Sequence, residues 1–125
     1  MKNASLLLVD DDEDQLIVFG TLLESHGYRV HLANSAVKAM SILEKEEVDC
    51  VISDVMMPRP NGRDLIRALK GDVRFASLPT VMLTAGRPDL EQQVLESGAD
   101  HLCLKRDAPR YLIPLLNEVL GKDNQ

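Results

Sequence analysis

The sequence predicts an α/β fold: a doubly wound, five-stranded parallel sheet in the order 2-1-3-4-5 with five helices, in one domain spanning residues 1–125. Three observations predict it. Short apolar runs alternate with amphipathic stretches along the whole chain, with no repeat, low-complexity tract or Pro/Gly/Ser-rich linker. A length of 125 residues supports one core and is too short for two ordinary ones. The apolar runs also come in two kinds, continuous and alternating, which ranks them as central or edge strands.

Taken in order, the first strand is expected at Leu6–Val9, a continuous apolar run. The acidic stretch Asp10–Asp14 follows, with Asp12 as a helix cap and Glu13 and Asp14 beside the positive end of the helix dipole. Gly27, Gly71, Gly98 and Gly121 suit positions just past helix ends. The second strand, Tyr28–Leu32, alternates Tyr28, Val30 and Leu32 with Arg29 and His31. Ser35 caps a helix whose Ala36, Ala39, Met40 and Leu43 share one face. Cys50–Ser53 and Thr80–Leu83 read as continuous, buried strands, whereas His101–Leu104 alternates Leu102 and Leu104 with His101 and Cys103. A helix is expected to begin near Pro88. In the last helix Pro109 fits the first turn, while Pro114 removes an interior donor and predicts a kink or a restart. The two alternating strands, second and fifth, become the edges. Right-handed crossovers then make strands one and three neighbours.

A formal charge of −6 argues against nucleic acid as a partner of this domain, since such binding rests on neutralising phosphates with Lys and Arg. The run Leu6–Val9 is too short for a signal peptide or a membrane span, so the expected location is cytoplasmic, without a membrane partner. In that reducing compartment Cys50 and Cys103 read as small core residues rather than as a bridge. His26, His31 and His101 lack the spacing of metal ligands.

In an open parallel sheet the ligand crevice lies beyond the carboxyl ends of the strands, where the winding reverses. Here that is between strands one and three. Strand one ends in Asp10 and Asp11, strand three in Asp54, strand four in Thr84 and strand five in Lys105. Three carboxylates thus converge with a hydroxyl and an ammonium. Oxygen-rich sites suit Mg²⁺, and phosphoryl transfer needs a carboxylate nucleophile, charge neutralisation and fixed donors.

Through Val9-Asp10-Asp11, Ser53-Asp54-Val55-Met56-Met57-Pro58, Asn61-Gly62, Met82-Leu83-Thr84-Ala85, Gly98-Ala99-Asp100 and Lys105, the chain resembles the response-regulator receiver domains of bacterial two-component systems, of the CheY-like, flavodoxin-like form. The resemblance implies phosphorylation of Asp54 and Mg²⁺ held by Asp11, Asp54 and the backbone carbonyl of Met56, with Asp10 acting through water. It implies Thr84 and Lys105 on the phosphoryl oxygens. The implied partners are a sensor histidine kinase or phosphotransfer protein, and a downstream protein or second copy on the face of strand five and the last helix. On that reading the chain is a phosphoacceptor switch that takes part in its own phosphorylation and dephosphorylation, not an enzyme acting on a separate substrate. Two positions depart from the family pattern: Arg106 stands where a proline usually follows the lysine, and Leu102 where an aromatic residue usually lies three before it.

Other readings compete with this one. An EF-hand loop begun at Asp10 would need glycine at Gln15 and glutamate at Thr21. A haloacid-dehalogenase-like phosphatase would need Thr or Val at Asp14, and a cap. A receiver-shaped interaction module that is never phosphorylated is favoured by Arg106 and Leu102 and opposed by the intact acids, Thr84 and Lys105. Met56 is either a loop apolar residue or a shield limiting water attack at Asp54, and Tyr111 either joins a broad core face or, with Leu102, a partner surface.

Overall fold

The computed structural model describes residues 3–85, 92 and 96–121. In chain order it contains β1 (Ser5–Val9), α1 (Glu13–Ser25), β2 (Arg29–Ala33), α2 (Ala36–Lys45), β3 (Cys50–Asp54), α3 (Gly62–Lys70), β4 (Thr80–Thr84), β5 (His101–Leu104), a 3₁₀ turn (Lys105–Asp107) and α4 (Ala108–Val119). All strand pairs are parallel, and the order is β2-β1-β3-β4-β5. The expected sheet is therefore found, with its edges at β2 and β5. Four α-helices stand among the described residues where five were expected. The helix expected near Pro88 falls largely outside them, although Gln92, Glu96 and Ser97 have helical backbone.

Strand side chains alternate between faces, so each central strand feeds two apolar layers. Leu6, Leu8, Ile52, Val81 and Leu83 meet Leu16, Phe19 and Leu23 of α1 and Ala108, Leu112 and Leu116 of α4. Leu7, Val9, Val51 and Met82 meet Ala36, Ala39 and Leu43 of α2 and Leu65, Ile66 and Leu69 of α3. Each fully buried Leu or Ile contributes about 2 kcal/mol of transfer free energy, so the paired layers are the main source of stability. Both cysteines are free and buried, and burial pushes the Cys50 thiol up to about 12, as suits an inert core residue.

Local chemistry fixes the helix starts. Asp12 Oδ1 accepts from the Asp14 amide at 2.9 Å, and Ser35 Oγ accepts from the Lys38 amide at 3.1 Å. α3 opens with a capping box: Asn61 Oδ1 accepts from the Asp64 amide, and Asp64 Oδ2 from the Asn61 amide.

Two sets of tertiary bonds pin the ends of the sheet. Tyr28 donates to Asn117 Oδ1 at 2.6 Å, tying the start of β2 to α4. At the opening of β4, Asp100 Oδ2 accepts from the Thr80 amide (2.9 Å), the Thr80 hydroxyl (3.1 Å) and Lys70 Nζ (3.0 Å). Burial alone would raise the Asp100 carboxyl, but the Lys70 and Thr80 bonds outweigh it and hold it below its ordinary value.

Four sequence expectations are corrected. β2 begins at Arg29 rather than Tyr28, because the Tyr28 amide turns back to the Leu23 carbonyl at the end of α1. Leu32 is 44 % exposed, and Ala33 is the buried residue at the end of β2. On β5, Cys103 is buried while Leu102 and Leu104 are only half-buried, so the strand's more buried face is the opposite of the one expected. α4 continues through Pro114, so the restart that the sequence offered beside a kink does not occur. Pro114 and Arg110 are both exposed, so water can serve the Arg110 carbonyl that loses its donor.

That last arrangement predicts that Pro114→Ala, which restores an interior N–H, raises stability by about 1–3 kcal/mol. Urea denaturation followed by circular dichroism measures it; an unchanged or lowered midpoint would show that Pro114 carries no helix penalty here.

Candidate functional site

The sheet register assembles the site. Val9 pairs with Ser53, which sets Asp10 and Asp54 level with each other at the carboxyl ends of β1 and β3. Both share the parity of Leu8 and Ile52, so they lie on one side of the sheet. Asp54 pairs with Leu83 and Thr84 with Leu104, so Thr84 and Lys105 each stand one residue beyond their neighbour's pairing partner. Asp10 is 2 % exposed, Asp54 7 % and Thr84 1 %, while Asp11 is exposed at the rim.

Lys105 Nζ bonds Asp10 Oδ2 at 3.0 Å and lies 3.5 Å from Asp54 Oδ1. One oxygen from each of Asp10, Asp11 and Asp54 lies within 4.8 Å of the others. Asp10 and Asp54 therefore share one ammonium, with Asp11 beside them, and the crevice retains surplus negative charge. That donor set, all carboxylate oxygen with one member open to solvent, fits a hard divalent cation. Asp10 Oδ1 also accepts from the Asp12 amide at 2.9 Å, and Asp54 Oδ1 from the Met56 amide at 3.4 Å.

Burial pushes the Asp54 carboxyl up to about 6; Lys105 pulls it down, Asp10 adds to the rise, and the Met56 amide favours the ionised form.

Every residue singled out from the sequence, Asp10, Asp11, Asp54, Met56, Thr84 and Lys105, lies at this end of the sheet. Arg106 lies within the 3₁₀ turn that follows β5 directly, and the cis peptide among the described residues is Arg59–Pro60. Leu102 packs against the layer formed with α2 and α3. Beside it, Leu102, Leu104, Asp107, Tyr111, Leu115 and Glu118 line a recess of about 430 Å³.

Sequence reasoning missed two supports of the site. A Cβ on Gly62 would lie 2.1 Å from the Asp54 carbonyl oxygen and 2.9 Å from Met82 Cε, so only glycine lets α3 start against the acid-bearing strand. Ser53 Oγ donates to that same carbonyl at 2.9 Å. The Asn61-Gly62 pair opening an amphipathic run was the available signal for the first.

A family model for the response regulator receiver domain matches residues 6–117. The transcriptional regulatory protein CpxR of Escherichia coli is 33 % identical over 120 residues, covering 95 % of this chain and 50 % of that protein. The phosphate regulon transcriptional regulatory protein PhoB of Pseudomonas aeruginosa is 34 % identical over 123 residues, covering 98 % and 54 %. The chain thus spans about half the length of these curated relatives. Among solved structures, chemotaxis protein CheY4 of Vibrio cholerae aligns with a TM-score of 0.87 at 29 % identity, covering 95 % of this chain and all of that one. The signal receiver domain of a histidine kinase from Syntrophus aciditrophicus aligns with a TM-score of 0.88 at 29 % identity, covering 98 % and 95 %.

The raised Asp54 carboxyl predicts a pH-dependent stability. The folded chain keeps a proton on Asp54 that the unfolded chain has released between pH 3.8 and about 6, so the stabilisation is present below that window and is lost as pH rises through it. Asp54→Asn carries no ionisable carboxyl there. With chelator present, the variant's advantage in unfolding free energy over the parent should grow by about 2–3 kcal/mol from pH 4 to pH 7. A difference that stays flat across that range would refute the buried-charge account.

Proposed function

The chain belongs to the response regulator receiver family, and on that footing we propose that it accepts a phosphoryl group on Asp54 with Mg²⁺ bound, switching protein–protein interactions in a two-component phosphorelay. Receiver domains of this family act as phosphoacceptor switches, and they engage histidine kinases and downstream effector domains. The observation that carries the proposal is the convergence of Asp10, Asp11 and Asp54 at the switch point of the sheet, with Lys105 paired to Asp10 and Asp54.

In the proposed reaction an ionised Asp54 oxygen forms a bond to phosphorus as the phosphorus–nitrogen bond of a phosphohistidine breaks. The imidazole leaves with the electron pair. With acetyl phosphate the breaking bond is phosphorus–oxygen, and acetate leaves. Asp11, Asp54 and the Met56 carbonyl would hold Mg²⁺, Asp10 acting through water, and the ion supplies neutralisation of charge on the phosphoryl oxygens. Lys105, now shared between Asp10 and Asp54, moves onto a phosphoryl oxygen, and Thr84 donates its hydroxyl to another. These charge-assisted bonds exist only in the phosphorylated state and supply the differential energy of the switch. The side chain of Met56, 52 % exposed beside Asp54, limits water attack on the acyl phosphate.

Residues 1–125 are proposed to form one receiver unit working in the cytoplasm, in keeping with its free cysteines; among the described residues no helix is long and apolar enough to cross a membrane. The recess beside Leu102 and Tyr111 is the proposed face for a downstream protein or a second copy. The receiver-shaped module that is never phosphorylated is the alternative that phosphate incorporation separates.

Two experiments test the proposal. Incubation with acetyl phosphate and Mg²⁺ should add one phosphoryl mass to the parent chain and none to Asp54→Asn. Equal gain in both would put the acceptor elsewhere, and no gain in the parent would favour the unphosphorylated module. Mg²⁺ titration followed by NMR should show crevice resonances that shift in the parent and hardly move in Asp11→Ala; undiminished affinity in the variant would remove Asp11 from the metal site.

A further inference from the structure

The two rims of the Asp54 crevice carry opposite charge. On the β1–α1 side stand exposed Asp11, Asp12, Glu13 and Asp14. On the β3–α3 side the loop after Asp54 carries Arg59, and α3 carries Arg63 and Arg67 in its first two turns. Among the described residues one carboxylate pairs with these arginines: Asp64 Oδ1 lies 3.5 Å from Arg59 and 3.7 Å from Arg67, while its Oδ2 takes the Asn61 amide at 2.9 Å. Arg63 Nε is buried and has no hydrogen-bond partner among the described residues. The basic side therefore keeps positive charge in excess, on a chain whose formal charge is −6.

The loop that carries Arg59 closes on Asp54 itself. The Gly62 amide donates to the Val55 carbonyl at 3.3 Å, and Gly62 packs against the Asp54 carbonyl. A loop whose feet meet within so few residues keeps its tip no more than about 12 Å from its base. That is comparable to the screening length of roughly 8–10 Å at moderate salt. The Arg59 side chain is 81 % exposed, held by one shared ion pair and open to an incoming anion.

A phosphodonor is an anion, and the acidic rim repels it. We infer that Arg59, positioned by Asp64, is a recognition residue that draws the anionic donor to Asp54 along the α3 side of the crevice. The inference rests on the phosphoacceptor reading of Asp54. It assigns Arg59 to the approach and capture of the donor, with the bond-making step left to Asp54 and Lys105. It also sets the polarity of a protein donor: the flank meeting α3 is acidic and the flank meeting the start of α1 is basic.

The test uses two small donors of different charge on the full chain with Mg²⁺, following phosphate incorporation by quenched intact-mass time courses. Acetyl phosphate is a dianion near neutral pH, and phosphoramidate carries less net negative charge. The second-order rate constant with acetyl phosphate is expected to fall about threefold in Arg59→Gln and about tenfold in Arg59→Glu, with smaller falls for phosphoramidate. Added NaCl should narrow the gap between parent and variants. Arg59→Glu reacting with acetyl phosphate at the parent's rate would overturn the inference while leaving Asp54 as acceptor. Equal losses with both donors at every salt concentration would overturn it too, because a distorted loop does not discriminate by charge. A parent chain that takes up phosphate from neither donor would fell the phosphoacceptor reading, and this inference with it.

Discussion

Surplus negative charge at the carboxyl end of the sheet is the constraint around which the rest of the molecule is arranged. Asp10 and Asp54 are nearly buried, and moving such groups out of water is unfavourable unless a counter-charge and hydrogen bonds accompany them. Lys105 and the amides of Asp12 and Met56 provide part of that compensation. What they leave over shows in the Asp54 carboxyl, which burial raises to about 6. The crevice is accordingly ready for a cation, and the proposed chemistry uses that readiness to bring a doubly anionic group to a carboxylate.

Most of the sheet was legible in the sequence because a parallel sheet buried on both faces demands continuous apolar strands, and Leu6–Val9, Cys50–Ile52 and Val81–Leu83 supply them. The edges were legible as strands but not in phase. On β5 a small Cys103 takes the more buried position while larger Leu102 and Leu104 sit half-buried, a choice set by tertiary packing that alternation alone cannot reveal. The restart offered at Pro114 does not occur for a related reason: the helix penalty of proline depends on whether water can reach the orphaned carbonyl, and exposure is a property of the fold. For the site, strand ends could be read from the chain, so the gathering of Asp10, Asp54, Thr84 and Lys105 at one end of the sheet was legible. The packing of Gly62 on the Asp54 carbonyl, and the shared grip of Asp64 on Arg59 and Arg67, depend on the path of the β3–α3 loop and were not.

The two departures from the family pattern fall on the side of the site that leads to the rest of the molecule. Arg106 sits in a 3₁₀ turn that runs straight into α4, so Lys105 is joined to that helix without an intervening proline. Leu102 belongs partly to the layer under α2 and α3 and partly to the recess beside Tyr111. On the proposed function, a displacement of Lys105 would pass through one short turn to the helix that forms the wall of that recess.

The hydrogen bonds joining Asp100 to Thr80 bear on how such a displacement travels. They fasten the first residue of β4 to the residue before β5, and Lys70 fastens the same carboxylate to the end of α3. Thr84 and Lys105 lie at the far ends of those two strands. Strands clamped at one end and pulled at the other cannot slide past one another; they bend, as a beam fixed in a wall bends under a load at its tip. The deflection is then greatest where the strands meet their following loops and nearly zero at the clamp. On the proposed function, loops at the acidic end would respond to the state of Asp54 while the opposite end of the strands stays still and preserves the core.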